Sequence, residues 1–215
     1  MAEIIRLDTR RLDKPGFVRA LDQLAASDPL LAAARIRAGV PRLRRWPQGF
    51  ATLLDIIVGQ QVSTEAANAI KGRLRARLGE PAPDAILEAS DDTLGGCGLS
   101  RQKMIYVRDL ATHVASGRLD LKKLGRLEEA EAVQRLTEVK GIGRWTAEIY
   151  LLFALGRPDV FPADDLALAV SMQRLRRFRE RPDAKKLRKL AEAWQPWRGA
   201  AAHFLWHYYR YAETV

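Results

Sequence analysis

Apolar residues recur at intervals of three and four along almost the whole chain and nowhere alternate for long, so the pattern predicts helices and no strands. Phe17, Leu21 and Leu24 give a first helix after Pro15, and Phe50, Leu53, Leu54, Ile57 and Val58 a buried one. Ser63, followed by Thr64 and Glu65, opens a helix running to about Leu78, and Pro81 and Pro83 break the chain beyond it. Ser100 caps a helix over 101–115, and further helices are expected over about 127–139, 145–155, 165–179, 184–194 and 197–211. The stretch from Leu94 to Leu99 holds three glycines and reads as a loop. The expected fold is all-α, without internal repeats or a low-complexity linker.

Composition narrows the partners. The 36 Lys and Arg against 26 Asp and Glu give a formal charge of +10, which favours a polyanion, although many basic proteins never meet one. At 215 residues and 47% hydrophobic, the chain can bury a sizeable core as one domain or two intimate lobes. No run of some 18 apolar residues and no signal sequence ahead of Pro15 is legible, so the expectation is a soluble intracellular, cytoplasmic protein with no membrane partner. A single cysteine, Cys97, excludes a disulfide framework or a Cys-rich metal site within one chain, and reads as a small packed side chain. His113, His203 and His207 lack metal-site companions and read as structural or surface residues.

The chemistry concentrates between residues 136 and 169. Gly141 and Gly143 flank Ile142 between two helical patterns, so the chain can turn with positive φ and bring bare backbone N–H groups to a ligand at the start of the next helix. Oxyanions such as DNA phosphates suit such a place. A lone Gly-x-Gly is more often an ordinary helix–helix turn. Here Lys140 and Arg144 flank it, and the doublet Asp164–Asp165 lies downstream.

These residues resemble the helix-hairpin-helix DNA glycosylases, most closely the alkylated-base type, DNA-3-methyladenine glycosylase II. The matching pieces are Val139-Lys140-Gly141-Ile142-Gly143-Arg144-Trp145-Thr146-Ala147 and Asp159-Val160-Phe161-Pro162-Ala163-Asp164-Asp165. Val58-Gly59-Gln60-Gln61-Val62-Ser63 matches upstream, and Trp194-Gln195-Pro196-Trp197-Arg198 with Trp206 downstream, so the likeness covers roughly residues 46 to 210. The resemblance implies one catalytic unit of two helical lobes. Lobe 1 comprises 1–45 and 160–215, and lobe 2 comprises 46–159 with the helix-hairpin-helix at about 128–155. Asp165 is expected in the cleft between them.

The resemblance also implies an activity. Alkylated bases of the 3-methyladenine and 7-methylguanine type are flipped out of duplex DNA and hydrolytically excised, leaving an abasic site. Asp165 is the implied catalytic anion, stabilising the oxocarbenium-like sugar and orienting water. From the doublet alone a helix N-cap is the plainer reading, and Asp164 is expected to be that cap. Trp145 and Trp206 are the implied walls of the base pocket, through stacking and attraction of a cationic base, although most tryptophans are core residues. Ile149 and Leu166 stand at pocket positions that are aromatic in some relatives, which leaves selectivity open. Lyase-competent relatives carry a Schiff-base lysine where this chain has Trp145, so the enzyme is expected to be monofunctional.

Gln60 and Gln61 match the turn from which a wedge enters the base stack, Gln61 being the wedge, or else are polar residues at a helix break. Gly141, Gly143 and Thr146 would hold a phosphate through backbone N–H groups, with Lys140 and Arg144 beside it. Lys140 replaces a proline common in the family hairpin. The carbonyls of Thr137, Val139 and Ile142 would hold a structural Na+ or K+. No other cofactor is expected. The iron–sulfur cluster of the endonuclease III branch and the N-terminal sheet domain of some relatives are expected to be absent. The expected state is a monomer on alkylated duplex DNA. The alternatives are a non-enzymatic helix-hairpin-helix DNA-binding module, which would not need Asp165, Trp145 and Trp206, and a basic scaffold for RNA or protein, which would leave the hairpin unexplained.

Overall fold

In the computed structural model, which describes residues 11–211, every regular element is helical. The chain divides into two compact units, the first formed by 1–45 and 151–215 and the second by 46–150. No helix among the described residues is long and apolar enough to cross a membrane.

In the second unit, α3 (Phe50–Gly59) turns Phe50, Leu53, Leu54, Ile57 and Val58 inward, the i, i+3, i+4, i+7, i+8 stripe of a core helix. It packs against α4 (Thr64–Leu78) and α7 (Arg101–Ala115). Ser63 and Ser100 cap α4 and α7 by accepting from the N–H of Ala66 and Lys103. Between them lie α5 (Pro83–Glu88) and α6 (Asp91–Gly96). Arg108 of α7 donates to the carbonyls of Ile86, Leu87 and Ala89 at 3.2, 3.3 and 2.7 Å, and so closes the C-terminal end of α5. Of the loop expected at Leu94–Leu99, Leu94 to Gly96 are the end of α6, and the turn proper is confined to Cys97 and Gly98, the latter at φ 96°. Ser90 caps that helix, so its glycines are carried helically, and Cys97 is its buried C-cap. A four-residue α8 (Leu121–Leu124), capped by Asp120, leads to α9 (Glu129–Thr137) and α10 (Arg144–Tyr150).

In the first unit, α1 (Lys14–Ser27) and α2 (Pro29–Ala38) pack with α11 (Leu166–Arg176) and α13 (Arg198–Tyr211), and α12 (Ala184–Ala191) rests on α11. Asp28 ties several of them together. It caps α2 through the N–H groups of Leu30 and Leu31, pairs with Arg176, and accepts from Trp194 Nε1 at 2.9 Å. Burial alone would raise its carboxyl, but the hydrogen bonds from Trp194, Leu31 and Arg176 outweigh burial and hold it below the usual range. The pattern of apolar residues did not reveal α2, because only Leu31 and Ala34 of it are buried; its signal is Asp28-Pro29, a cap followed by a first-turn proline.

Several boundaries differ from expectation. The run expected over 145–155 ends as an α-helix at Tyr150 and continues as a π-helical turn, Leu151–Leu155. That turn and the segment to Asp159 belong to the first unit, not to the second as expected. The Gly156 carbonyl accepts from Leu12 N–H and the Pro158 carbonyl from Gly199 N–H, both at 2.7 Å, and Asp159 pairs with Arg198 at 2.8 Å. α11 stops at Arg176, short of 179, because Arg177 adopts a left-handed conformation, φ 54°.

Candidate functional site

The hairpin between α9 and α10 depends on one glycine for its turn and spares the other. Gly141 has φ +84°, and a Cβ there would lie 2.3 Å from Cγ of Tyr106, so both conformation and close approach require glycine. Gly143 is exposed, has no positive φ, and a Cβ there would meet nothing within 4 Å. Ile142 is buried beneath the turn, and its N–H donates to the Val139 carbonyl at 3.0 Å. The Lys140 N–H donates to Asp109 at 2.8 Å, while the Lys140 residue is exposed. Arg144 lies one turn from Glu148 and donates to it at 2.8 Å, yet its side chain remains 56% exposed. Thr146 is buried and Thr137 exposed.

Gln60 and Gln61, neighbours at the end of α3, do different things. Gln60 Nε2 donates to the Gly141 carbonyl at 2.9 Å and to Thr146 Oγ1 at 3.3 Å, so its amide braces the hairpin. Gln61 is exposed and holds φ 55°, a conformation uncommon for a side chain with a Cβ, in the tight turn before α4. Strain of this kind persists where the surrounding structure imposes it, and here it thrusts a polar side chain outward.

Both glutamines line a cavity of about 640 Å³ with Trp145, Thr146 and Ile149. The size lies within the usual range for small-molecule sites, roughly 300–1,000 Å³. The structure adds residues to it that the sequence did not reveal: Trp46 and Pro47, Thr52, Asp55, Ile56 and Gly59 of α3, and Lys71 of α4. A signal existed for the α3 members. Positions 52, 55, 56 and 59 form a second i, i+3, i+4, i+7 stripe beside the buried one, less apolar and half-buried.

Trp206 and Leu166 are not among the residues lining that cavity; they lie in the first unit with Asp165. Asp165 caps α11. Its Oδ1 accepts from Leu168 N–H at 3.0 Å and from Trp206 Nε1 at 3.1 Å. The expected cap, Asp164, is displaced from that role: it is exposed and pairs with Arg188 at 3.4 Å. The residue whose backbone enters the helix in an extended conformation supplies the cap, and that is Asp165, at φ −79° and ψ 122°. Trp206 is half-buried and stacks on Phe153 with ring centroids 5.3 Å apart. His203 meets both rings edge-on, at 4.9 Å from Phe153 and 6.2 Å from Trp206. Burial, reinforced by Arg44 and Arg45, lowers the His203 pKa to about 3, so the imidazole is neutral and its Nε2 is buried without a hydrogen bond. Leu166 opens α11 and is 61% exposed, an outer residue rather than a packed one.

Residues 54–196 match the HhH-GPD superfamily base excision DNA repair protein family. Among curated relatives, DNA-3-methyladenine glycosylase 1 of Schizosaccharomyces pombe is 36% identical over 158 residues, 72% of this chain and 69% of that protein. A solved structure of the S. pombe 3-methyladenine DNA glycosylase in complex with abasic DNA superposes with a TM-score of 0.79 at 33% identity, covering 87% of this chain and 95% of that one. A DNA-3-methyladenine glycosidase structure from Bacillus halodurans gives 0.82 at 36% identity, covering 94% and 92%. The chain belongs to the HhH-GPD superfamily of base excision DNA repair proteins.

Proposed function

We propose that this protein is a monofunctional DNA glycosylase that extrudes cationic alkylated purines, of the 3-methyladenine and 7-methylguanine type, from duplex DNA and hydrolyses their N-glycosyl bond. The observation that carries the reading is Asp165, a carboxylate fixed by the Leu168 N–H and the Trp206 indole before any substrate arrives. An N3- or N7-alkylated base is already positively charged and leaves without strong acid catalysis. What the reaction needs is a preorganised anion for the oxocarbenium-like sugar and a water to complete hydrolysis. Capping and catalysis are compatible in one residue, because the cap is what fixes the carboxylate's direction.

Trp145, with Ile149 as apolar surface on its own helix, serves the base through stacking and cation–π attraction, and Trp206, with Leu166, offers the same chemistry in the unit that carries Asp165. Position 145 holds an indole rather than an amine, so no Schiff base can form there and the product is an intact abasic site. Gln61 fills the gap left by the extruded nucleotide, and Gln60 supports the hairpin from behind. Backbone N–H groups at Gly141, Gly143 and Thr146 receive a phosphate, with Lys140 and Arg144 adding charge. The carbonyls of Thr137, Val139 and Ile142, around the C-terminal end of α9, are a donor set suited to a monovalent cation: hard oxygens at the negative end of a helix. The protein acts as a monomer.

The test is incubation with duplex DNA bearing 7-methylguanine or 3-methyladenine, scoring free base and abasic sites separately from strand breaks. Release of base without breakage is expected. Binding with no release from any alkylated duplex would identify a non-enzymatic helix-hairpin-helix module instead.

A further inference from the structure

We infer that Trp46 is a further aromatic wall for the extruded base, in the cavity it shares with Trp145, and determines with Trp145 how well a cationic base is held there. The inference rests on the proposed glycosylase activity. Trp46 and Trp145 line the same cavity, and each is 37% exposed, unusually open for the largest side chain. Trp46 lies ahead of α3 on a segment without regular structure, where a ring could wander; two hydrogen bonds hold the backbone beside it. The Gly49 N–H donates to the Tyr150 hydroxyl at 3.0 Å, and the Thr52 hydroxyl donates to the Pro47 carbonyl at 2.6 Å. Tyr150 is fully buried, and burial raises its phenol above the ordinary value, so the anchoring hydroxyl stays neutral.

Tyr150 belongs to α10, the helix that also carries Trp145, Thr146 and Ile149 to the cavity. One helix therefore presents one aromatic wall and latches the segment that presents the other. The charged groups of the cavity do not select for a cation. Asp55 is paired with Arg75 at 2.9 Å, and Lys71 is itself a cation. Preference for an electron-poor, positively charged ring is left to the indole faces, which attract it by their quadrupoles and by stacking.

The experiment compares the unsubstituted protein with Trp46→Leu and Trp46→Phe. It measures single-turnover release from a 7-methylguanine duplex across enzyme concentrations and, separately, affinity for the same duplex without damage. Trp46→Leu is expected to lower the release efficiency by about ten- to thirtyfold, the scale of one desolvated cation–π contact, with affinity for undamaged duplex within about twofold. Trp46→Phe, which keeps a ring, is expected within about threefold of the unsubstituted protein and guards against a mere folding defect. Unchanged release by Trp46→Leu, an equal loss on undamaged DNA, or a Phe variant as poor as the Leu variant would each overturn the assignment of Trp46. Failure of the unsubstituted protein to release any alkylated base would overturn the glycosylase reading itself and this inference with it.

Discussion

The second unit presents its candidate residues through turns, and the first unit presents Asp165 through packed side chains. A positive-φ glycine under Tyr106 in the hairpin and a strained Gln61 in the turn before α4 put backbone and polar groups at the surface, where they can meet a partner of regular shape. Around Asp165 the groups are a helix cap, an indole hydrogen bond, a stacked pair of rings and a buried neutral histidine. The first kind of site suits gripping a repeating backbone. The second suits holding one half-buried charge in a fixed direction. Grip and chemistry should therefore be separable by mutation.

The largest expected separation comes from Asp165→Asn. Asn caps a helix nearly as well as Asp, so the variant should keep its fold, with unfolding free energy changed by less than about 0.5 kcal/mol, and most of its DNA affinity. Base release should fall at least about a hundredfold, as when one preorganised electrostatic group is lost. A thermal melt and a release assay on one preparation check both, and Asp164→Asn should show far less. Near-normal release by the Asp165→Asn variant would reduce that residue to a cap.

Gly143→Asp should act on the other side of the comparison. The position has room for a side chain, so the new carboxylate costs little in folding but repels a phosphate at the hairpin. Affinity for damaged and undamaged duplex should fall together by about tenfold, which a titration of each duplex will show; a folded variant that binds normally would remove the hairpin from the interface. Gly141→Ala, in contrast, should damage the fold itself. Smaller again, Gln61→Ala should weaken binding to a duplex with an abasic-site analogue about threefold more than to an intact duplex, roughly one net hydrogen bond, because only the flipped state has a gap to fill. Equal losses would make Gln61 a packing residue.

The first unit also has an acid limit built into it. His203 stays neutral in the folded chain down to about pH 3 but takes a proton in the unfolded chain below about 6.5. Within that window the unfolded state binds the extra proton, so stability falls as pH falls and levels out below the folded value. Denaturant unfolding of the unsubstituted protein and of His203→Phe at pH 7 and pH 4 should show a smaller acid loss in the variant. An identical loss would mean that His203 is not responsible.

Much of the fold and of the hairpin was legible because it is local. The core stripe of α3, the Ser63 and Ser100 caps and the glycine hairpin each lie within a few residues of their signal. What the sequence hid was set at a distance. Which aspartate caps α11 depends on backbone entry angles that two adjacent identical residues do not reveal, and the bond that fixes Asp165 comes from Trp206, 41 residues away. Gln60 has the sequence context of a DNA contact, but its amide reaches the hairpin across 81 residues. Trp46 carried no motif; its place on the cavity depends on Tyr150, far along the chain.

The division between grip and chemistry is tested most directly by single-turnover base release from one alkylated duplex, with Gly143→Asp and Asp165→Asn each raised to saturating concentration. The Gly143→Asp protein is expected to recover the unsubstituted rate once its weaker binding is overcome, whereas the Asp165→Asn protein stays at least about a hundredfold slow at any concentration. Recovery of the Asp165→Asn rate at saturation would contradict that division, since Asp165 would then serve binding and not the bond-breaking step.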